Sequence, residues 1–162
     1  MRRLHCFLLM LALCLMAGLL AALSISFDAQ NPPAPGETEI VSHFKHWYIA
    51  REASSVPAEP PSDLPGINSG QMTYGGDCSS CHGEDGRHPE PLGQSMFPPA
   101  PDLGSASGQR WSNAELFWII KHGIRHSGMP GFGKINPDDK IWDLVHYVRS
   151  LASGPGDIKP SQ

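Results

Sequence analysis

From Cys6 to Phe27 the chain is uninterrupted by charge, with Arg2 and Arg3 before the run and Asp28 after it. About 20 apolar residues suffice for a helix to cross a bilayer, and flanking arginines stay on the cytoplasmic side. Residues 6–27 are therefore read as a membrane-spanning helix within a signal-anchor or signal peptide over residues 1–28. A cleaved signal is the competing reading; its one fair cleavage site is Ser24-Ile25-Ser26, and the length of the run favours retention. Cys14 follows Leu11-Ala12-Leu13 and lacks the small preceding residue a lipoprotein signal wants. In each case everything beyond Asp28 is exported.

Residues 29–66 are a linker broken by Pro32, Pro33, Pro35, Pro57, Pro60, Pro61 and Pro65. Within it, residues 40–53 predict a short helix: Ile40, Val41, Phe44, Trp47, Tyr48 and Ile49 share a broad face opposite Lys45, Arg51 and Glu52. That face suits either a membrane surface or packing on the domain that follows. His43 and His46 stand one turn apart, but no carboxylate or thiolate completes a metal site there, so they are read as linker histidines.

Residues 67–155 read as three helices joined by Gly/Pro-rich loops, with no convincing alternation at period two, which makes the fold all-α. The first helix starts after Asn68 and leads into Cys78. The second starts at Ser112, where Ser112-x-x-Glu115 forms a capping box before Leu116, Phe117, Ile119 and Ile120. In the third, Asn136 is the expected cap, Pro137 suits the first position, Asp138 and Asp139 complement the dipole, and Ile141, Leu144, Val145, Val148 and Leu151 recur at helical spacing up to Gly154. Between Glu84 and Arg110 there is no periodicity, and so long a loop needs something to wrap. Residues 156–162 form a C-terminal tail.

Composition adds to this picture. Seventeen glycines and 16 prolines stand beside only four Trp, three Tyr and six Phe, so the domain needs more than side chains to fill its interior. A net charge of −4 argues against a nucleic-acid surface. Over residues 67–155, nine acidic and seven basic residues leave neither sign dominant. Any partner contact is then expected to centre on apolar residues, with modest dependence on salt.

The chemistry lies in Cys78-Ser79-Ser80-Cys81-His82, the attachment pattern for haem c. Two thiols a helical turn apart reach the two vinyl groups on one edge of a porphyrin, and the next residue reaches the iron. Zinc would need two further ligands, and the exported part holds no other cysteine. A redox-active disulfide would want a βαβ context, which is missing. One covalent haem through Cys78 and Cys81, with His82 as iron ligand, is the reading that remains.

Met129 is the expected sixth ligand, because Ser127-Gly128-Met129-Pro130-Gly131-Phe132 suits a stiff presenting loop better than core packing. A thioether favours Fe(II) and raises the potential relative to two imidazoles. The alternatives are a gap-filling loop methionine, a histidine ligand such as His122 or His126, and, more weakly, Met72 or Met96. With both axial positions filled, the iron passes single electrons and the protein is not an enzyme. A haem enzyme or gas sensor with a labile sixth position is the rival, for which His126 and Arg125 would supply acid/base and cationic groups. Phe117, Trp118 and Trp142 are read as core that keeps water from the haem, and Trp111 is left open to either side.

In these residues the stretch from Ile67 to Leu151 resembles the class I cytochrome c family. Gly70 and Tyr74 stand eight and four residues before Cys78, where the family has a glycine and an aromatic, and Tyr147 stands where its last helix has an aromatic. The resemblance implies a cytochrome c-like domain over residues 67–155, with first and last helices crossing at the glycine. Pro101-Asp102-Leu103 matches the family's Pro-x-Leu, which makes the Pro101 carbonyl the implied acceptor for the free N–H of His82; Pro98 and Pro99 remain alternatives. The run from Glu115 to Ile120 followed by Gly128 to Phe132 is similar to bacterial monohaem members, membrane-anchored or periplasmic. That likeness implies the bacterial inner membrane, with the domain in the periplasm, or a soluble periplasmic protein after cleavage. The implied partners are redox proteins, or a membrane dehydrogenase or oxidase complex.

Overall fold

The computed structural model describes residues 2–23, 33–58 and 66–152. Among them there is no strand. Residues Met1–Ala34 and Pro35–Gln162 form two separate compact units. The first holds helix α1, Arg2–Leu23, which is long and apolar enough to cross a membrane and buries none of that apolar stretch within the chain. The C-terminal end of the expected span, with Ser24-Ile25-Ser26, lies outside the described residues, as do residues 156–162.

In the second unit, α2 (Glu37–Ala53) is followed by α3 (Ile67–Asp77), α4 (Ser79–His82), α5 (Pro91–Gln94), α6 (Ala106–Gln109), α7 (Asn113–His122) and α8 (Asp138–Ser150). Three of these, α3, α7 and α8, are the long helices expected of the domain. They surround a core of Tyr74, Leu116, Phe117, Ile120, Ile141, Trp142, Leu144, Val145, Tyr147 and Val148. The stretch with no periodicity contains α5 and α6, four residues each, too short for a hydrophobic repeat to register.

Local chemistry explains where the helices begin. The Ser112 hydroxyl accepts from the Glu115 N–H (3.2 Å) and the Glu115 carboxylate accepts from the Ser112 N–H (2.7 Å), the expected capping box. Two other starts differ from the sequence expectation. Helix α3 begins at Ile67, ahead of Asn68: Gly66 lies at φ 74°, a conformation that favours glycine, and its N–H donates to the Asp143 carboxylate of α8 at 2.9 Å. A tertiary acceptor, 1 % exposed, thus replaces a local cap. At α8 the flanking residue is Pro137, because the Asn136 amide donates across to Asp77 at 2.6 Å.

The α3–α8 crossing is tight. A Cβ at Gly70 would stand 2.0 Å from the Asp143 carbonyl oxygen and 2.9 Å from the Tyr147 Cβ. Beside it the Tyr74 and Tyr147 rings pack at 4.9 Å. Replacing Gly70 with alanine is expected to cost about 1–3 kcal/mol through overpacking, more than the ~1 kcal/mol that the exchange returns in helix propensity. The net result is a lower guanidinium midpoint for Gly70→Ala; an unchanged or higher midpoint would refute the close crossing.

Helix α2 packs on α7, burying Ile49 and Ala53. The His46 ring stacks on Trp111 with centroids 4.1 Å apart and accepts a hydrogen bond from Arg110. Burial, then the Arg110 charge, holds this imidazole below its usual pKa, so it docks as a neutral ring. Residues 37–53 thus belong to the same compact unit as the domain, and His46 serves packing.

Candidate functional site

The Cys78–His82 motif extends α3 by one turn. The Cys78 N–H donates to the Tyr74 carbonyl at 2.9 Å, and the N–H groups of Cys81 and His82 both donate to the Cys78 carbonyl, at 3.1 and 3.0 Å. Helical pitch therefore sets the two thiols and the imidazole on successive positions of one rigid turn. Its end is locked where Gly83 turns at φ 81° and its carbonyl accepts the buried Tyr74 hydroxyl at 2.7 Å. Burial pushes the Tyr74 phenol well above its usual range and keeps it a donor.

The following loop is stitched onto this turn. The Glu90 N–H donates to the Cys81 carbonyl at 3.1 Å, and a Cβ on Gly93 would stand 2.1 Å from that same oxygen. The Ala100 N–H donates to the Gly93 carbonyl at 2.9 Å, and the Leu103 N–H to the Gly86 carbonyl at 2.8 Å. These bonds carry the chain to Pro101, whose carbonyl lies 3.1 Å from the His82 Nδ1. Of the three prolines considered from sequence, Pro101 is the one facing the ring. A carbonyl only accepts, so Nδ1 holds the proton and Nε2 keeps the lone pair a metal needs. Burial lowers the imidazole pKa, which favours a neutral ligand, and the Pro101 bond offsets this in part.

Cys78 and Cys81 are free thiols, both partly buried. Burial, followed by the Asp77 charge, pushes the Cys78 thiol up to about 12. A thiol so raised is a poor thiolate, contrary to what a dithiol exchange site requires. No group of three or more His, Cys, Asp or Glu able to hold a metal ion occurs among the described residues.

Met129 is held by the chain doubling back on α7. Gly123, at φ 72°, ends that helix; the Ile124 N–H then donates to the Met129 carbonyl at 3.2 Å, and the Ser127 hydroxyl accepts the Met129 N–H at 3.2 Å. Beyond Met129 the Phe132 and Gly133 N–H groups return to the Ile120 and Lys121 carbonyls, at 3.0 and 2.9 Å. Met129 and Cys78 both pack, partly buried, against the one core cluster, alongside Leu103 and Phe132. The other candidates lie differently: Met72, His122 and His126 are exposed, as is Arg125, and His122 packs on the Trp118 ring at 4.9 Å.

Sequence reasoning missed the place of Met96. A Cβ on Gly128 would stand 2.0 Å from the Met96 sulfur, so this thioether packs on the backbone immediately before Met129. No periodic signal in the 84–110 segment points to it. Phe117 and Trp142 are buried and 4.5 Å apart, in the core as expected, whereas Trp118 is half-buried and meets Tyr48 of α2 edge-on at 5.9 Å. Trp111 also borders the core while its ring stacks on His46.

The donor set of two free thiols, an imidazole with Nε2 available and a loop thioether bordering the same core as Cys78 fits a covalently attached porphyrin with two axial ligands.

A family model described as cytochrome c oxidase, cbb3-type, subunit III matches residues 65–148. Among solved structures, the chain is similar to the c-type cytochrome KustC0563, with 28 % identity over 51 % of this chain and 95 % of that one at a TM-score of 0.45. It is similar to the reducing HAO-like protein complex Kustc0457/Kustc0458 of Kuenenia stuttgartiensis, with 28 % identity over 60 % of this chain, a TM-score of 0.51, and only 49 % of the matched chain spanned. A third is cytochrome cL of the marine methylotroph Methylophaga aminisulfidivorans, with 23 % identity over 77 % of this chain and 71 % of that one at a TM-score of 0.42. No curated protein matches the chain.

Proposed function

The chain belongs to the cbb3-type cytochrome c oxidase subunit III family and is a class I c-type cytochrome, a haem-based electron carrier with covalently bound haem c; on that premise we propose that Cys78 and Cys81 hold one haem, and that His82 and Met129 ligate its iron. The haem domain is taken as residues 67–155. When bound, the haem supplies the one-electron couple, and the chain's part is to hold, orient and dry it. The Pro101 carbonyl fixes the His82 tautomer and ring plane and strengthens the ligand. Phe117 and Trp142 keep water from the interior. The Gly123–Gly133 hairpin holds Met129 with little freedom to leave.

The observation that carries this reading is the pairing of an imidazole whose tautomer leaves Nε2 available with a Met129 loop that borders the same core as Cys78. A closed iron has no place for substrate, so the reading is a carrier and not an enzyme. Electrons would pass between redox proteins, or within a membrane oxidoreductase complex, through contacts with modest salt dependence. The apolar α1 supports placement at the bacterial inner membrane with the haem domain in the periplasm.

Spectroelectrochemical titration of the purified holoprotein tests the proposal. The expected result is a single one-electron wave, with a ferrous spectrum that carbon monoxide leaves unchanged over minutes. Rapid carbon monoxide binding would mean an open sixth position and would return weight to the sensor or enzyme reading.

A further inference from the structure

Helix α2 is apolar on the side turned away from its own domain. At 100° per residue, Ile49 and Ala53 point at α7, with Ser42, Lys45 and His46 around them. Ile40, Phe44 and Trp47 fall on the opposite side and stand 72, 62 and 55 % exposed, flanked by the exposed Val41 and Tyr48. An ordinary surface helix has the reverse pattern, polar outward. The outward rings form one patch: Phe44 lies 5.6 Å from Trp47 and 6.2 Å from Tyr48, and the Arg51 guanidinium sits over the Trp47 and Tyr48 rings at 5.2 and 5.4 Å.

We propose that this face of α2 lies in the headgroup region of the bilayer that α1 spans, an inference that rests on the reading of α1 as a retained anchor. Residues 24–36, thirteen positions, separate the end of α1 from the start of α2. A chain of that length reaches at most about 45 Å, so the lipid interface is always within reach of α2. The composition fits that occupant. Trp and Tyr are the residues of interfacial belts, and an arginine stacked on them keeps its charge in the headgroups while its stem covers apolar surface. Helix α2 carries Glu37, Glu39 and Glu52 against Lys45 and Arg51. The attraction is thus aromatic insertion with no polybasic component, and it is insensitive to anionic lipid. Seated there, α2 fixes which side of the haem domain faces away from the membrane towards a partner.

The test is photolabelling of the full-length holoprotein in phosphatidylcholine vesicles containing a phosphatidylcholine with a diazirine near its headgroup, with adducts mapped by mass spectrometry. Adducts are expected on α1 and on Phe44, Trp47 and Tyr48. The Ile40→Ser, Phe44→Ser, Trp47→Ser variant, which leaves the Ile49 and Ala53 packing intact, should lose most α2 adducts while keeping those on α1 and its optical spectrum. Adducts confined to α1, or α2 labelling equal in the variant, would overturn the proposal and leave the anchor standing. Absence of label on both helices, with the chain released by alkaline carbonate, would overturn the anchor reading and the proposal with it.

Discussion

Replacing Cys78 and Cys81 together with alanine is expected to leave a chain from which all haem is removed by denaturation and acidified solvent, whereas the wild type keeps its full complement through the same treatment. The two thiols share one helical turn with His82, and no other cysteine lies beyond α1 to substitute for them. Single replacements should keep the haem attached through the remaining thioether, and the haemochrome spectrum should then report one unreacted vinyl group. Stability falls as well. The buried core is drawn from α3, α7 and α8 and is flanked by loops rich in Gly and Pro, so a domain unable to retain haem gives up the interior apolar contact those loops would make with it. The double variant is expected to melt at a markedly lower temperature, read by far-ultraviolet circular dichroism. Haem-associated peroxidase staining of the double variant on a denaturing gel would rule out the assignment.

How far the sequence speaks depends on the range of the interaction concerned. The capping box at Ser112 and Glu115 is local, three residues apart, and is seen in the structure as expected. The hydrophobic repeat of α8 is local too, and Ile141, Leu144, Val145 and Val148 are buried where the period puts them. The start of α3 is different: its first N–H is satisfied by Asp143, 77 residues away, and nothing near Asn68 announces that. Asn136 likewise has cap chemistry, yet finds Asp77 across the fold. Helix α2 shows the same limit from another side. The sequence predicts the element but groups Ile49 with the aromatic face and sets Arg51 opposite it; in the structure Ile49 turns with Ala53 to α7 on the other side of the helix, and Arg51 sits over the outward Trp47 and Tyr48 rings. At the site, the motif itself is visible as five consecutive residues. Which proline carbonyl meets His82 depends on the course of a loop with no repeat, and it is settled only when the Glu90, Ala100 and Leu103 hydrogen bonds lay that loop against Cys81, Gly93 and Gly86.

Met129→Ala is expected to lower the reduction potential by on the order of 0.1 V, a modest part of the ~0.8 V over which axial ligands tune haem. At one electron and about 59 mV per decade, that is roughly a fiftyfold shift towards the oxidised form. The direction follows from the thioether's preference for Fe(II): with it gone, water or an imidazole takes its place and the ferric state gains. The long-wavelength sulfur-to-iron band of the oxidised protein should vanish, and cyanide should bind quickly where the wild type resists it. Met96→Leu is the necessary companion, because the Met96 sulfur packs on Gly128, one residue from Met129, and is the nearest rival the structure offers. Leucine keeps the bulk against Gly128 without a donor, so the band and potential of that variant should stay close to wild type. A band that survives Met129→Ala and disappears in Met96→Leu would transfer the ligand role to Met96. Loss in both variants would instead mean that the Gly128 backbone has shifted, and thermal melts would then show whether the loop, held by Ser127 and the Ile124 to Met129 hydrogen bond, has come away from α7.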